Sequence, residues 1–463
     1  MTANRSSDAL AQNLKPRHVR MLSIAGVIGA GLFVGSGHAI AEAGPAVLLA
    51  YAAAGALVVL IMRMLAEMAV ASPDSGSFST YADRALGRWA GFTIGWLYWW
   101  FWVLVIPLEA NAAGTLLHGW FPQIAVWVFT LAITLILTLS NLFSVKNYGE
   151  FEFWFALIKV TAIIAFLCVA ALAVAGLLPG GGAQGFSHLY DRGFMPNGIG
   201  AVLAAILTTM FSFMGTEIVT IAAAESRDPG RQITQATNAV IWRIALFYLL
   251  SILLVVALVP WDTPALRQVG SYQTALERMN VPWARQIVDL VVLIAVCSCL
   301  NSALYTASRM LYSLSRRQDA PAVASRTSRN GTPWAAVLLS TAAAFAAVVA
   351  NYLAPSAVFT FLLASSGAIA LLVYLAIAAS HLALRRRREA QGERLAYRMW
   401  LFPGLTWVTI LFILTVLVAM LFNPQHRPEL IATGLLALTV IAASRLTRRR
   451  RSSSAKGIPA RSS

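Results

Sequence analysis

The stretch SIAGVIGAGLFVGSG, Ser23–Gly37, lies in a run apolar enough to cross a membrane, yet five of its fifteen residues are glycine. Each glycine costs a helix interior roughly 1 kcal/mol relative to alanine. A membrane helix written this way is primed to come apart around Gly26, Gly29 and Gly31. In lipid, an unwound segment leaves backbone N–H and C=O groups without partners, at a cost on the order of several kcal/mol each. Such a break persists only where it faces a protein-lined cavity. The exposed amides that open the following half-helix then direct partial positive charge at an anion, and a carboxylate is the natural ligand. The competing reading is helix packing, because Gly31 and Gly35 form a G-x-x-x-G.

A second disrupted run shifts the balance toward a site. TTMFSFMGTEIVTIAAAES, residues 208–226, places Gly215 and the ionisable Glu217 mid-membrane beside Phe211 and Phe213. Breaks in the first and sixth spans are the signature of two five-helix repeats of inverted topology, with a binding site between them at the midplane.

The rest of the chain fits a polytopic helical membrane protein. It has 463 residues, 59% hydrophobic and 12% charged, where a soluble protein carries about a quarter charged residues. Twelve spans are expected near 20–41, 45–71, 92–118, 124–144, 153–178, 198–224, 237–260, 284–314, 334–352, 356–381, 399–422 and 428–446. The polar, basic N-terminal residues lead straight into the first span, so no cleavable signal peptide is expected. The net charge of +16 gathers at both termini and in alternate loops. That is orientation by the positive-inside rule, with both termini cytoplasmic, and it argues against nucleic acid as a partner. The stretch SPDSGSFSTYADRALGRW is expected to lie along the cytoplasmic surface as a short amphipathic helix. Cys168, Cys297 and Cys299 all fall in apolar runs, so disulfides are not part of the architecture.

Charged residues inside spans are candidates for function. Lys159, in FALIKVTAIIAF, is either a buried titrating group that couples proton and substrate movement or a lysine that snorkels to the interface. Glu217 could bridge helices, carry a proton or attract a substrate ammonium; a hydrogen bond holding its broken helix to a neighbour is the plainer role. Glu109 follows Pro107 and either lines an access route or caps backbone groups freed by the proline. Arg63 and Glu67, four apart on one helix face, are expected to pair. The rings of GWLYWWFWVLVIP divide between anchoring, packing and the cavity. Ser298, Asn301 and Ser302 in the eighth span either face the unwound first helix or hydrogen-bond between helices.

LSIAGVIGAGLFVGSGHAIAEAGPAVLLAY, MRMLAEMAVASPDSGSFSTYADRALGRWAGFTIGWLYWWFWVLVIPLEANAAG and FSFMGTEIVTIAAAESRDP resemble the amino acid transporter family of the amino acid–polyamine–organocation superfamily. SVKNYGEFEFW and CLNSALYTASRMLYSLSRRQDAPAV extend the likeness from about Leu14 to Arg445. The resemblance implies an all-α polytopic membrane protein of twelve transmembrane helices. These form two inverted five-helix repeats in a LeuT-like arrangement plus two extra helices, with helices 1 and 6 discontinuous. The implied division is a cytoplasmic tail (1–19), first repeat (20–196), second repeat (197–382), helices 11 and 12 (383–446) and a basic cytoplasmic tail (447–463). By the same likeness the substrate carboxylate falls on Ile28, Gly29, Ala30 and Gly31, and the amino group on carbonyls around Phe211, Ser212 and Met214, beside Gly215 and Glu217. Phe211 is the implied aromatic gate and Lys159 the proton-coupling lysine; Glu109, Ser298 and Asn301 are secondary candidates.

The expected function is proton-coupled import of 4-aminobutyrate (GABA) or a similar zwitterion by alternating access in a bacterial inner membrane. No cofactor, metal or obligate protein partner is expected, and the proton gradient supplies the drive. A permease for proline, aromatic or other small amino acids is the near alternative, and an amino acid sensor or passive channel the distant one. An intramembrane enzyme is disfavoured: the chain lacks H-E-x-x-H and G-x-S-x-G motifs, and its six histidines are scattered.

Overall fold

The computed structural model describes residues 17–19, 21, 28–74, 76–143, 145–178, 185–224, 226, 228–281, 283–353, 355–424 and 427–455. Gly26 lies outside the described residues, so the first break is seen from Ile28 onward. Every regular element among the described residues is helical. Ten helices among them are long and apolar enough to cross a membrane, and each of the twelve expected ranges contains helix.

The first span resumes at Ala30, passes through a π-helical turn at Gly31–Gly35 and continues as α1 (Ser36–Ala43). A short turn at Gly44–Ala46 leads into α2 (Val47–Ala71). Then come α3 (Ser77–Leu86), α4 (Arg88–Trp120), α5 (Val126–Phe143) and α6 (Val145–Val174). The sixth span is two helices, α7 (Gly198–Phe213) and α8 (Ile218–Ala224). The seventh runs from α9 (Pro229–Arg243) through a π-helical turn at Ile244–Leu250 into α10 (Ser251–Leu258). Two short helices, α11 (Ala265–Gln268) and α12 (Ser271–Arg278), precede α13 (Ala284–Arg316). The chain ends with α14 (Trp334–Leu353), α15 (Pro355–Ala390), α16 (Gly404–Phe422) and α17 (Arg427–Ala455).

Burial sorts these helices into a centre and a rim. The most apolar window of α4 is 83% buried, against 28% for α16 and 11% for α17. α4 is therefore the central post, packed along α13, while the last two helices are peripheral. α5 shows how a lipid-facing helix is written: its buried positions are Thr130, Thr134, Thr138 and Asn141, one polar stripe at helical spacing. Each threonine hydroxyl donates to the carbonyl four residues back, while Ile136 and Leu139 point outward. Polar groups turn inward because lipid offers them no partner.

Two local expectations are corrected. Arg63 and Glu67 do not pair. The Arg63 guanidinium lies 3.7 Å from the Trp400 ring centroid and donates to the Arg398 carbonyl. Glu67 accepts from Arg385 at 2.7 Å and from the Met399 N–H at 2.6 Å. The loop before α16 folds back over the end of α2 and takes both partners. α3, expected along a membrane surface, is instead buried against α4 and α15 through Phe78, Tyr81, Ala82 and Ala85.

Candidate functional site

Helical order fails in the sixth span between Phe213 and Ile218. Met214 is extended, and Gly215 has φ +97°, a conformation that penalises any side chain. Several of the freed backbone groups, and the side chains that serve them, find partners nearby. The Met214 N–H donates to the Met210 carbonyl, and the Gly215 N–H to both carboxylate oxygens of Glu217 at 3.0 and 3.1 Å. Tyr98 of α4 donates to Glu217 at 2.8 Å, and Tyr248 donates to the Ser212 carbonyl at 2.9 Å. Thr216 donates to the Phe213 carbonyl and accepts from the buried Arg243. Glu217 thus closes its own break and does not line the cavity described below.

The first break is satisfied by two ionisable side chains from other helices. The Ala30 N–H donates to Glu109 of α4 at 3.2 and 3.0 Å from its two oxygens. Lys159 of α6 donates to the Ile28 carbonyl at 3.2 Å and to Ser298 of α13 at 2.9 Å. Lys159 is fully buried, which removes the snorkelling reading. Glu109 partners the first span, not the backbone around Pro107. Asn301 faces neither break: it donates to Glu152 at 2.8 Å and accepts from Asn141 at 2.7 Å.

Glycine is required where the broken helix meets its neighbours. A Cβ at Gly29 would lie 2.6 Å from the Cys299 Cβ and 2.7 Å from a Glu109 oxygen. At Gly31 it would lie 2.8 Å from the Ser212 Cα. The first and sixth spans therefore touch backbone to backbone beside their breaks. Around that contact Gly31, Phe101, Trp102, Val105, Glu109, Phe211, Met214 and Cys299 enclose a cavity of about 10 Å³, room for a single water. Phe211 and Met214, two of the expected amine-side residues, are in its wall.

A vestibule of about 620 Å³ opens beyond this cavity, toward the end of α4 that carries Trp120. Its walls continue the same helix faces: Val34 sits one turn past Gly31, Ala112 one turn past Glu109, and Val292 two turns before Cys299. His38, Arg267, Arg285 and Asp289 give the vestibule its charged lining. On the opposite side α3 closes the path. Arg317 donates to Ser79 at 2.6 Å, Arg88 donates to Asp319 at 2.6 Å, and Ser77 and Thr220 share a hydrogen bond.

Two broken helices around a closed cavity, with a vestibule on one side and α3 packed across the other, have the layout of a multi-pass membrane carrier. The chain belongs to the amino acid permease family, whose sequence model matches residues 18–444. Its substrate class is therefore an amino acid, and it is a transporter, not an enzyme. It is 64% identical over 450 residues to a probable GABA permease of Pseudomonas aeruginosa, covering 97% of this chain and 95% of the relative. It is 66% identical over 433 residues to the gamma-aminobutyric acid permease of Escherichia coli K12, covering 93% of each. The fold is shared with the Eremococcus coleocola manganese transporter crystallised with an aromatic bis-isothiourea substituted compound. That likeness has a TM-score of 0.56 at 12% identity and covers 93% of this chain and 92% of that one.

One buried acid escaped the sequence reading. Glu152 is completely buried and joins Lys159, Ser298, Asn301 and Asn141 in one polar cluster. It stands just before the expected fifth span, close in sequence to Glu150 and Lys146, where nothing local distinguishes it from interfacial charge. Its partners lie 146 and 149 residues away along the chain.

Proposed function

We propose that the chain imports GABA with protons across the bacterial inner membrane by alternating access, with both termini in the cytoplasm. The observation that carries this reading is that protein side chains already occupy the bare groups of both breaks. Glu109 holds the Ala30 amide, Lys159 the Ile28 carbonyl and Tyr248 the Ser212 carbonyl. A substrate carboxylate takes the amides of the first break from Glu109, because the two carboxylates compete for the same donors. The ammonium end reaches toward the sixth-span carbonyls past Phe211 and Met214. The closed cavity must widen to admit even a small zwitterion, so binding drives rearrangement. Lys159, whose ammonium grips the first break, loosens that grip when it gives up its proton. Conformation and proton occupancy are thereby linked through one residue. Two inverted five-helix repeats would supply the rocking halves.

The choice of GABA is supported by the relatives at 64% and 66% identity, a probable and a named GABA permease. Radiolabelled GABA uptake into proteoliposomes under an imposed inward proton gradient tests the reading. Accumulation against the GABA gradient is expected, abolished by a protonophore and outcompeted by unlabelled GABA before proline or aromatic amino acids. Equilibration without accumulation would make the protein a channel, and stronger competition by another amino acid would replace GABA.

A further inference from the structure

We propose that Glu152 is the relay partner through which Lys159 exchanges its proton, with the Ser298 hydroxyl as the bridge. This rests on the proton-coupled reading above. Glu152 and Lys159 are seven residues apart on α6, two turns along one face. Long side chains on a helix lean toward its N-terminus, so Lys159 reaches back toward Glu152. Ser298 fills the gap between them. Its Oγ accepts from Lys159 Nζ at 2.9 Å and donates to Glu152 Oε2 at 2.6 Å. A hydroxyl has one proton to give and lone pairs to receive with. The hydrogen bonds therefore run in one direction, ammonium to hydroxyl to carboxylate. The other oxygen, Oε1, accepts from Asn301 at 2.8 Å, and Asn301 is held in turn by Asn141 at 2.7 Å. The remaining titratable neighbours of Lys159 are Glu109 and Cys299.

The step balances within the cluster. An N–H bond of Lys159 breaks as its proton joins Ser298 Oγ, and the original Ser298 proton moves to Glu152 Oε2. Ammonium and carboxylate become amine and carboxylic acid, with the hydroxyl restored and no electrons transferred. The pair has zero net charge before and after, so the proton moves without leaving a lone charge in the membrane interior. The neutral amine is a weaker donor to the Ile28 carbonyl, which is how the transfer reaches the first break. Glu152 lies nearer the start of α6 than Lys159 does. The relay therefore moves the proton toward the cytoplasmic half in the proposed orientation. A mere charge pair would not need the hydroxyl.

Ser298→Ala separates the two roles, because it keeps both charged groups and removes the bridge. In proteoliposomes, Ser298→Ala and Glu152→Gln are each expected to lower GABA-driven proton entry at least tenfold, read by an entrapped pH dye. GABA counterflow at equal pH, which needs no net proton movement, should fall far less than proton entry does. Ser298→Thr, which retains the hydroxyl, should restore proton entry. Ser298→Ala with normal proton entry overturns the relay, and so does equal loss of counterflow and proton entry in both variants. If Lys159→Gln also leaves proton entry unchanged, it is the proton-coupled reading that fails. If only the Lys159 variant is uncoupled, the relay alone falls.

Discussion

Gly29 and Gly31 are alike in sequence and differ in what a side chain would strike. At Gly29 the obstacle is made of side-chain atoms alone, the Cys299 Cβ at 2.6 Å and Sγ at 2.9 Å and the movable Glu109 oxygen at 2.7 Å. At Gly31 it is the Ser212 Cα at 2.8 Å, which no side-chain truncation removes. Overpacking of this kind costs roughly 1–3 kcal/mol. Gly29→Ala and Gly31→Ala are therefore each expected to cut GABA uptake about tenfold or more. Cys299→Gly should restore a substantial part of the uptake of Gly29→Ala and none of that of Gly31→Ala. Uptake measured in the four variants decides it. Equal rescue, or rescue of neither, would mean that the close approach of the first break to α13 is not what those glycines serve.

The break between α7 and α8 poses the same problem for a whole element: across four residues the regular helical ladder is interrupted, and the groups it frees must find partners. Glu217, Tyr98, Tyr248, Thr216 and Arg243 supply them. Tyr98→Phe removes the donor to Glu217 while keeping the ring, and leaving a buried acceptor short costs about 1–3 kcal/mol. The variant is expected to melt several degrees lower in detergent, with the order of competing amino acids in uptake unchanged. A changed order would place Glu217 in contact with substrate. Much of this element was legible in the sequence, because a glycine beside a glutamate is conspicuous in an apolar run, and a lysine in the middle of FALIKVTAIIAF is equally so. What escaped depended on partners far along the chain. Glu152 lies just outside the expected fifth span, and nothing marks it until Ser298 and Asn301 are brought to it. Arg63 and Glu67 obeyed local helical spacing only on paper, since Trp400 offered Arg63 a planar ring and Arg385 and the Met399 N–H offered Glu67 two donors. The side chains occupying both breaks were illegible too, because spacing reveals that a helix opens and not what fills the opening.

At the scale of the whole molecule, the asymmetry between the two ends sets the working cycle. One end holds a vestibule of about 620 Å³ aimed at the occluded cavity. The other is shut by α3, pinned to the end of α13 and the turn that follows it. Asp319 braces that closure from α4: it accepts from Arg88 at 2.6 Å, its carbonyl accepts from the Trp96 indole at 3.1 Å, and it lies 3.8 Å from Arg317, which donates to Ser79 of α3. Burial lowers the affinity of the neighbouring Arg317 guanidinium for its proton, with the Asp319 charge opposing the shift. Arg88 is partly exposed, so solvent discounts the pair, and about 1 kcal/mol is a fair weight for it, roughly a fivefold change in population. Asp319→Asn is expected to raise the inward-open fraction by about that factor. The inward-open state is best read at Thr220, buried against Ser77 in the closure and reachable only when α3 swings away. With the three native cysteines replaced by alanine and Thr220→Cys introduced, a membrane-impermeant thiol reagent added to inside-out vesicles labels in proportion to that fraction. The labelling rate should rise about fivefold in the Asp319→Asn background. An unchanged rate would mean that α3 is held shut by its apolar packing through Phe78 and Tyr81, with the ion pair a bystander.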